Sequence, residues 1–158
     1  MSEEAAQGLG GSPSTQLFRL VLVVGNHVRT RMDARLAPIG LTTQQAAALT
    51  IIGQGDGGDQ GRPPTLGSIA RQMGCSHQNV RQLVTALERK GLVTVAVDPT
   101  DRRARRVATT ASVAELFGPR DDDDHSEAAR WFDVLSTDEQ VQAVSLLGRV
   151  LRHLVDEG

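Results

Sequence analysis

Apolar positions recur at intervals of three and four along most of the chain, and in one stretch two such short runs are divided by a glycine. Leu66, Ile69, Ala70 and Met73 share one face of a helix over Leu66–Met73. Val80, Leu83, Val84 and Leu87 do the same in a second helix that ends where Gly91 follows Lys90. Thr65 and Ser76 are placed to cap the two helices, since their hydroxyls can accept a backbone N–H that the first turn leaves unpaired. Gly74 permits the sharp turn between them. Two amphipathic helices joined by so short a turn predict a helix-turn-helix. The period then changes. Leu92–Val97 is rich in branched residues and suits a strand, and Asp98-Pro99-Thr100-Asp101 carries turn chemistry. Arg102, Arg103, Arg105 and Arg106 form a basic tip, and Val107–Thr110 can return as a second strand. A helix-turn-helix followed by such a hairpin is a winged helix, so the expected fold class is mainly α with a small β-hairpin wing.

The flanks are helical by the same test. A long helix is expected from about Ser14 to Ala37, with Leu17, Phe18, Val21, Val24, Val28, Met32 and Leu36 at helical spacing and Pro38-Ile39-Gly40 as its stop. Leu20, Leu22 and Val23 widen its apolar face beyond one contact, which calls for burial on more than one side and favours a second subunit. A further helix is expected over Thr43–Gly53. After the hairpin a helix begins at Ser112 and should break at Gly118-Pro119, because proline removes a backbone donor and clashes with the preceding turn. The run Asp121–Asp124 can cap and charge-stabilise a restart at about His125, running to Leu135. Ser136 and Glu139 form a capping box for a last helix, about Thr137–Val155. Its stripe is Val141, Val144, Leu147, Val150, Leu151 and Leu154. Met1–Pro13 is small, polar and glycine-rich, and is expected to be a flexible tail.

Charge adds a direction to this layout. The net charge of the 158 residues is −2, yet residues 62–106 carry nine basic against three acidic side chains, a net of +6. Residues 107–158 hold four arginines against eleven acids, a net of −7. A basic middle inside an acidic frame is the footprint of a nucleic-acid face. In a helix-turn-helix, the start of the second helix meets base edges in the major groove. Here that surface is His77, Gln78, Asn79, Arg81 and Gln82, each able to donate or accept toward a base and none on the Val80–Leu87 core face.

Other chemistry is excluded or weak. Cys75 is the only cysteine, so no internal disulfide forms; with no signal peptide this fits the cytoplasm. Its place in the apolar slot of the turn reads as structural rather than redox-sensing. Leu20–Val24 is far shorter than the roughly 20 residues of a membrane span. The loop from Gly53 to Pro64 satisfies G-x-G-x-x-G, but it lacks the preceding strand and following helix that a dinucleotide site needs. A calcium loop would have Gly58 at a ligand position. Asp121–Asp124 with His125 cannot all face one ion from a helix, and His27 and His153 join no cluster. No metal site, cofactor or catalytic residue is expected, and with no nucleophile motif, Walker loop or His-Glu-x-x-His the chain is not expected to be an enzyme.

At this level of detail the chain resembles the MarR-type transcriptional regulators. The likeness is carried by Gly40-Leu41-Thr42-Thr43-Gln44-Gln45, by Leu66-x-x-Ile69-Ala70, and by Val80-x-x-Leu83-Val84-x-x-Leu87-Glu88-x-x-Gly91-Leu92-Val93. Its strongest element is Asp98-Pro99-x-Asp101-Arg102-Arg103-Ala104, with Val107-x-x-Thr110 behind it. The Gly53–Pro64 loop is longer than the family's usual connection. The resemblance implies one domain over residues 14–158, with 14–37 and 112–156 as dimerisation helices and 41–110 as the DNA-binding winged helix-turn-helix. It implies a homodimer on a pseudo-palindromic double-stranded operator, acting as a repressor and released by a small aromatic or phenolic effector. It also implies that Arg103 enters the minor groove with Asp101 bracing it. Arg102, Arg105 and Arg106 would meet phosphates or solvate the hairpin, and Thr65 and Ser76 could donate to phosphate. Phe18, His27, Arg31 and Trp131 are the polar or aromatic candidates for the effector pocket. Two other readings remain open: a winged-helix protein-interaction module without specific DNA binding, and a small enzyme using Asp56 or Asp59 of the glycine-rich loop.

Overall fold

The structure, a computed structural model, describes residues 11–56, 61–119 and 121–156, excepting the side chains of 121–125. The expected tail therefore falls outside it up to residue 10, as do Asp59 and the side chains of the Asp121–His125 run. The chain divides into two compact units, Met1–Thr43 and Gln44–Gly158.

The first unit is one helix and its stop. Helix α1 spans Pro13–Leu36, with the Ser12 hydroxyl accepting the Thr15 N–H and Pro13 in the first turn, where its missing donor costs nothing. A 3-10 turn, Ala37–Ile39, ends it, and Gly40 closes that turn at φ 69°. The Asp33 carboxylate accepts the Thr43 backbone N–H at 2.6 Å, and that bond holds its pKa below the ordinary aspartate value. Leu17, Phe18, Leu20, Val21, Leu22, Val23 and Val24 are all exposed in the single chain, between 38% and 64%. The width of the apolar face read from the sequence is thus left uncovered.

In the second unit α2 (Thr43–Gln54) leads to α3 (Leu66–Met73) and α4 (His77–Arg89). Strands β1 (Val93–Val97) and β2 (Arg105–Thr109) pair antiparallel, Val93 facing Thr109 and Val97 facing Arg105. Helices α5 (Ala111–Phe117), α6 (Asp121–Arg130) and α7 (Thr137–Asp156) follow. The core joins α2 through Ala48, Leu49 and Ile52, α3 through Ile69 and Ala70, and α4 through Val80, Val84 and Leu87. Leu92, Val93 and Val107 extend it into the hairpin. Helix α3 packs on α4 and on β2, and α4 packs on β1, so the hairpin is seated on the helix-turn-helix.

Three boundaries differ from expectation by more than one residue. The return strand starts at Arg105 rather than Val107, because the five residues of β1 need five partners and the turn is complete by Ala104. The chain does break after Phe117, but it restarts at Asp121 rather than near His125. Acidic residues in a first turn are favoured by the helix dipole, so the Asp run opens α6 instead of preceding it. Helix α6 also ends at Arg130 instead of Leu135, and residues 131–134 are turns. Helix α7 begins as expected: Ser136 N–H donates to Glu139 at 2.7 Å and the Glu139 N–H returns to the Ser136 hydroxyl at 3.4 Å. Its stripe is exposed throughout, with Val141, Val144, Leu147, Leu151 and Leu154 at half exposure or more. Among the described residues no helix is long and apolar enough to cross a membrane.

Candidate nucleic-acid interface

Two elements of the second unit present the chemistry read from the sequence. Helix α4 is set by its cap and its core face: Ser76 accepts the Asn79 N–H at 3.2 Å, while Val80, Val84 and Leu87 are buried. The remaining positions at its start, His77, Gln78, Asn79, Arg81 and Gln82, are all exposed. Four amide or guanidinium side chains and an imidazole therefore stand on one outward surface. Thr65 caps α3 by accepting the Ser68 N–H at 3.1 Å, and Gly74, at φ 62°, makes the turn before α4. The His77 ring lies over Gly67 of α3: a Cβ at Gly67 would sit 3.2 Å from its Nε2. The absent side chain leaves room for that imidazole. Cys75, in the turn, is half-buried and its backbone N–H closes on Ala70.

The hairpin is the second element. Its tip holds Asp101, Arg102 and Arg103, all exposed, and Arg105 is exposed on β2. The Asp101 carboxylate accepts the Arg103 backbone N–H at 2.9 Å. The expected brace between these two residues is thus a main-chain bond that sets the turn around Arg103. Between α4 and the hairpin runs a cleft of about 320 Å³, with Arg81, Thr85 and Glu88 on one wall and Val95 and Arg105 on the other.

Arg106 departs from its expected role. Alternation along β2 sends Arg105 outward and Arg106 inward, since successive strand residues face opposite sides. Its guanidinium donates through Nε to Asp98 and through Nη1 to Asp56, the latter at 3.2 Å, and Nη1 also reaches the Pro63 carbonyl. It is a structural cation and not a phosphate ligand. Asp98 is 2% exposed and works as a hub, accepting the Thr100 hydroxyl at 2.6 Å, the Thr100 N–H at 2.7 Å and the Asp101 N–H at 3.1 Å. The bonds from Thr100, with those from Arg106 and Asp101, hold its carboxyl far below the ordinary range. Asp56 is likewise held low, by Ser68 and then by Arg106. That engagement occupies one of the two carboxylates that an enzymatic reading of the glycine-rich loop would use; the other, Asp59, lies outside the described residues. The sequence reading took Asp98 as turn chemistry and as part of the wing motif, and missed Arg106 as the cation that joins it to Asp56; strand alternation was the available signal for Arg106.

The effector candidates are spread over both units. Phe18, His27 and Arg31 lie on α1, all exposed, whereas Trp131 is half-buried just after α6. Among the described residues no three His, Cys, Asp or Glu side chains are grouped to hold a metal ion.

Comparison with known proteins places this geometry. The MarR family matches residues 39–104, from the end of the 3-10 turn to the end of the hairpin turn. The transcriptional activatory protein BadR of Rhodopseudomonas palustris is 40% identical over 78 residues, which are 46% of this chain and 40% of BadR. The chain thus spans less than half the length of that curated relative. MepR of S. aureus, solved in complex with DNA, shares the fold at a TM-score of 0.71 and 22% identity, over 91% of this chain and 99% of that one. CouR of Rhodococcus jostii RHA1, solved with p-coumaroyl-CoA bound, aligns at a TM-score of 0.74 and 22% identity, over 90% and 96%. Over residues 39–104 the chain is thus similar to the MarR family, and its fold is the winged helix-turn-helix of the structures it aligns with.

Proposed function

We propose that the chain is a sequence-specific, DNA-binding transcriptional regulator, not an enzyme, acting in the cytoplasm as a homodimer on a pseudo-palindromic operator. The observation that carries this reading is the pairing of an exposed polar helix face, His77 to Gln82, with an exposed arginine-bearing hairpin on the same winged helix. Gln78, Asn79 and Gln82 suit adenine edges and Arg81 suits guanine. Arg103 at the wing tip enters the minor groove, where a narrow A-tract concentrates negative potential. Arg102 and Arg105 meet phosphates, joined by Thr65 and Ser76 at the starts of their helices. The exposed apolar faces of α1 and α7 support the dimer, since surfaces of that kind are normally covered. Two subunits give two reading heads, and half-sites about one helical turn apart follow from the symmetry.

Occupancy of an operator that overlaps a promoter represses. BadR is named an activatory protein, and that observation favours a second outcome, activation, where the site lies upstream. An aromatic effector, with Phe18, His27, Arg31 and Trp131 as its candidate contacts, releases the DNA by preferring a spacing of the heads that the operator does not fit. The binding of p-coumaroyl-CoA by CouR supports an effector of aromatic character.

Selection from a random DNA pool tests the reading. Enrichment of an inverted repeat, bound with an affinity that falls steeply with salt, is the expected result. No enrichment and a flat salt response would leave the winged helix as a protein-interaction module.

A further inference from the structure

The cluster around Arg106 ties the hairpin to the loop between α2 and α3. Asp56 and Pro63 of that loop and Asp98 of the hairpin turn all receive the Arg106 guanidinium, whose side chain is only 12% exposed. Arg62 adds a second cation, 3.9 Å from Asp98. Beside this cluster the Val107 N–H donates to the Pro64 carbonyl at 3.0 Å, and Thr65 bridges to Arg106 main chain to main chain. Residues 63–65 therefore lie along β2 as an added edge, bonded by side chain and backbone. From Asp98 the same carboxylate reaches Thr100 and Asp101, and Asp101 in turn holds the Arg103 N–H. One continuous set of bonds runs from Asp56 to the tip.

A two-stranded hairpin is marginal by itself and needs a third element to keep its direction. We propose that Arg106 is a positioning residue for the wing, and that Asp56 and residues 63–65 are its strut, setting where Arg102 and Arg103 stand. The inference rests on the DNA-binding reading only for its effect on affinity. The rigidity of the wing is a property of the free protein. Asp56 touches no exposed residue of the interface, so its effect on DNA is indirect. Its loss leaves Arg106 still paired with Asp98, and the fold survives because the Ile69, Val80 and Leu87 core is untouched.

The test compares full-length Asp56→Asn, Arg106→Lys and Arg105→Ala with the wild type in two measurements. Amide exchange of the DNA-free protein should be faster over residues 98–107 in Asp56→Asn and unchanged in the buried turns of α4. With the selected duplex, Asp56→Asn and Arg106→Lys should bind roughly tenfold more weakly, within the range for residues that act without touching the ligand. Their dependence on salt should stay steeper than that of Arg105→Ala, since neither substitution removes a cation that meets phosphate. Arg105→Ala should bind with a shallower dependence, one contact fewer in each head. Hydroxyl-radical protection should fade in the flanking minor groove in Asp56→Asn, while guanine N7 protection in the major groove persists. Wild-type exchange rates in Asp56→Asn, or a salt dependence in Arg106→Lys as shallow as in Arg105→Ala, would overturn the proposal. If the wild type enriches no DNA, the operator reading fails while the exchange experiment still decides the strut.

Discussion

Replacing Gly67 by alanine separates the stability of the helix-turn-helix from its ability to read DNA. Gly67 is the second residue of α3 and has helical backbone angles, so a side chain is allowed there. Alanine in place of glycine favours the helix by about 0.5–1 kcal/mol. The new Cβ would lie 3.2 Å from Nε2 and 3.3 Å from Cε1 of His77, too close by a few tenths of an ångström. His77 is exposed, so its ring can turn away, and holding it off its rotamer instead costs about 0.5–1.5 kcal/mol. The two effects nearly cancel, and the midpoint of thermal unfolding should move by less than about 1 kcal/mol equivalent. DNA affinity should change more. His77 opens the helix whose first turn faces the bases in the proposed complex, and its displacement should weaken the operator by about 1 kcal/mol in each half-site, the low end for a lost base contact. Fluorescence anisotropy with a labelled operator measures this, with His77→Ala as reference. The double variant Gly67→Ala/His77→Ala should bind like His77→Ala alone, since both changes act on one ring. Wild-type affinity in Gly67→Ala beside a weakened His77→Ala would refute the reasoning, as would destabilisation beyond about 2 kcal/mol, which would mean that the contact cannot relax.

Other outcomes follow from the same geometry. Arg103→Ala should lower operator affinity by roughly 1–3 kcal/mol in a chain that melts like the wild type, as titration of labelled DNA would show. Leu87→Ala, at a site with 0% exposure, should cost about 2–5 kcal/mol in denaturant unfolding, since a cavity opens beneath both α3 and β1. The depressed carboxyls of Asp98, Asp56 and Asp33 stabilise the fold above the unfolded aspartate pKa of about 3.9, and that contribution is lost as pH falls through their lower folded values. Stability should therefore drop below about pH 4, and Asp98→Asn should be weaker at neutral pH but show a flatter acid limb. Removal of residues 137–158 should convert a dimer at low micromolar concentration into a monomer or aggregate with little DNA binding, which sedimentation would detect.

Much of the architecture was legible from local chemistry alone. The caps Thr65, Ser76 and Ser136, the left-handed turn at Gly74 and the stop at Gly40 are short-range devices, and each appears where the residue types place it. The core faces of α3 and α4 follow from a period of 3.6 residues, which one amphipathic pattern determines without knowledge of any partner. The exposed reading face of α4 is the remainder of that same pattern. What the sequence could not decide lies at long range. Arg106 sits 50 residues from Asp56 and eight from Asp98, and in a run of four arginines nothing local distinguishes it from Arg105. Strand register makes the distinction: pairing Val97 with Arg105 turns Arg105 to solvent and Arg106 into the cluster. Register depends on the packing of β1 against α4 and of β2 against α3, and so on the tertiary structure. The same holds for His77, whose polar character marked it as a base reader but whose resting place over Gly67 required two helices to be brought together by their buried faces.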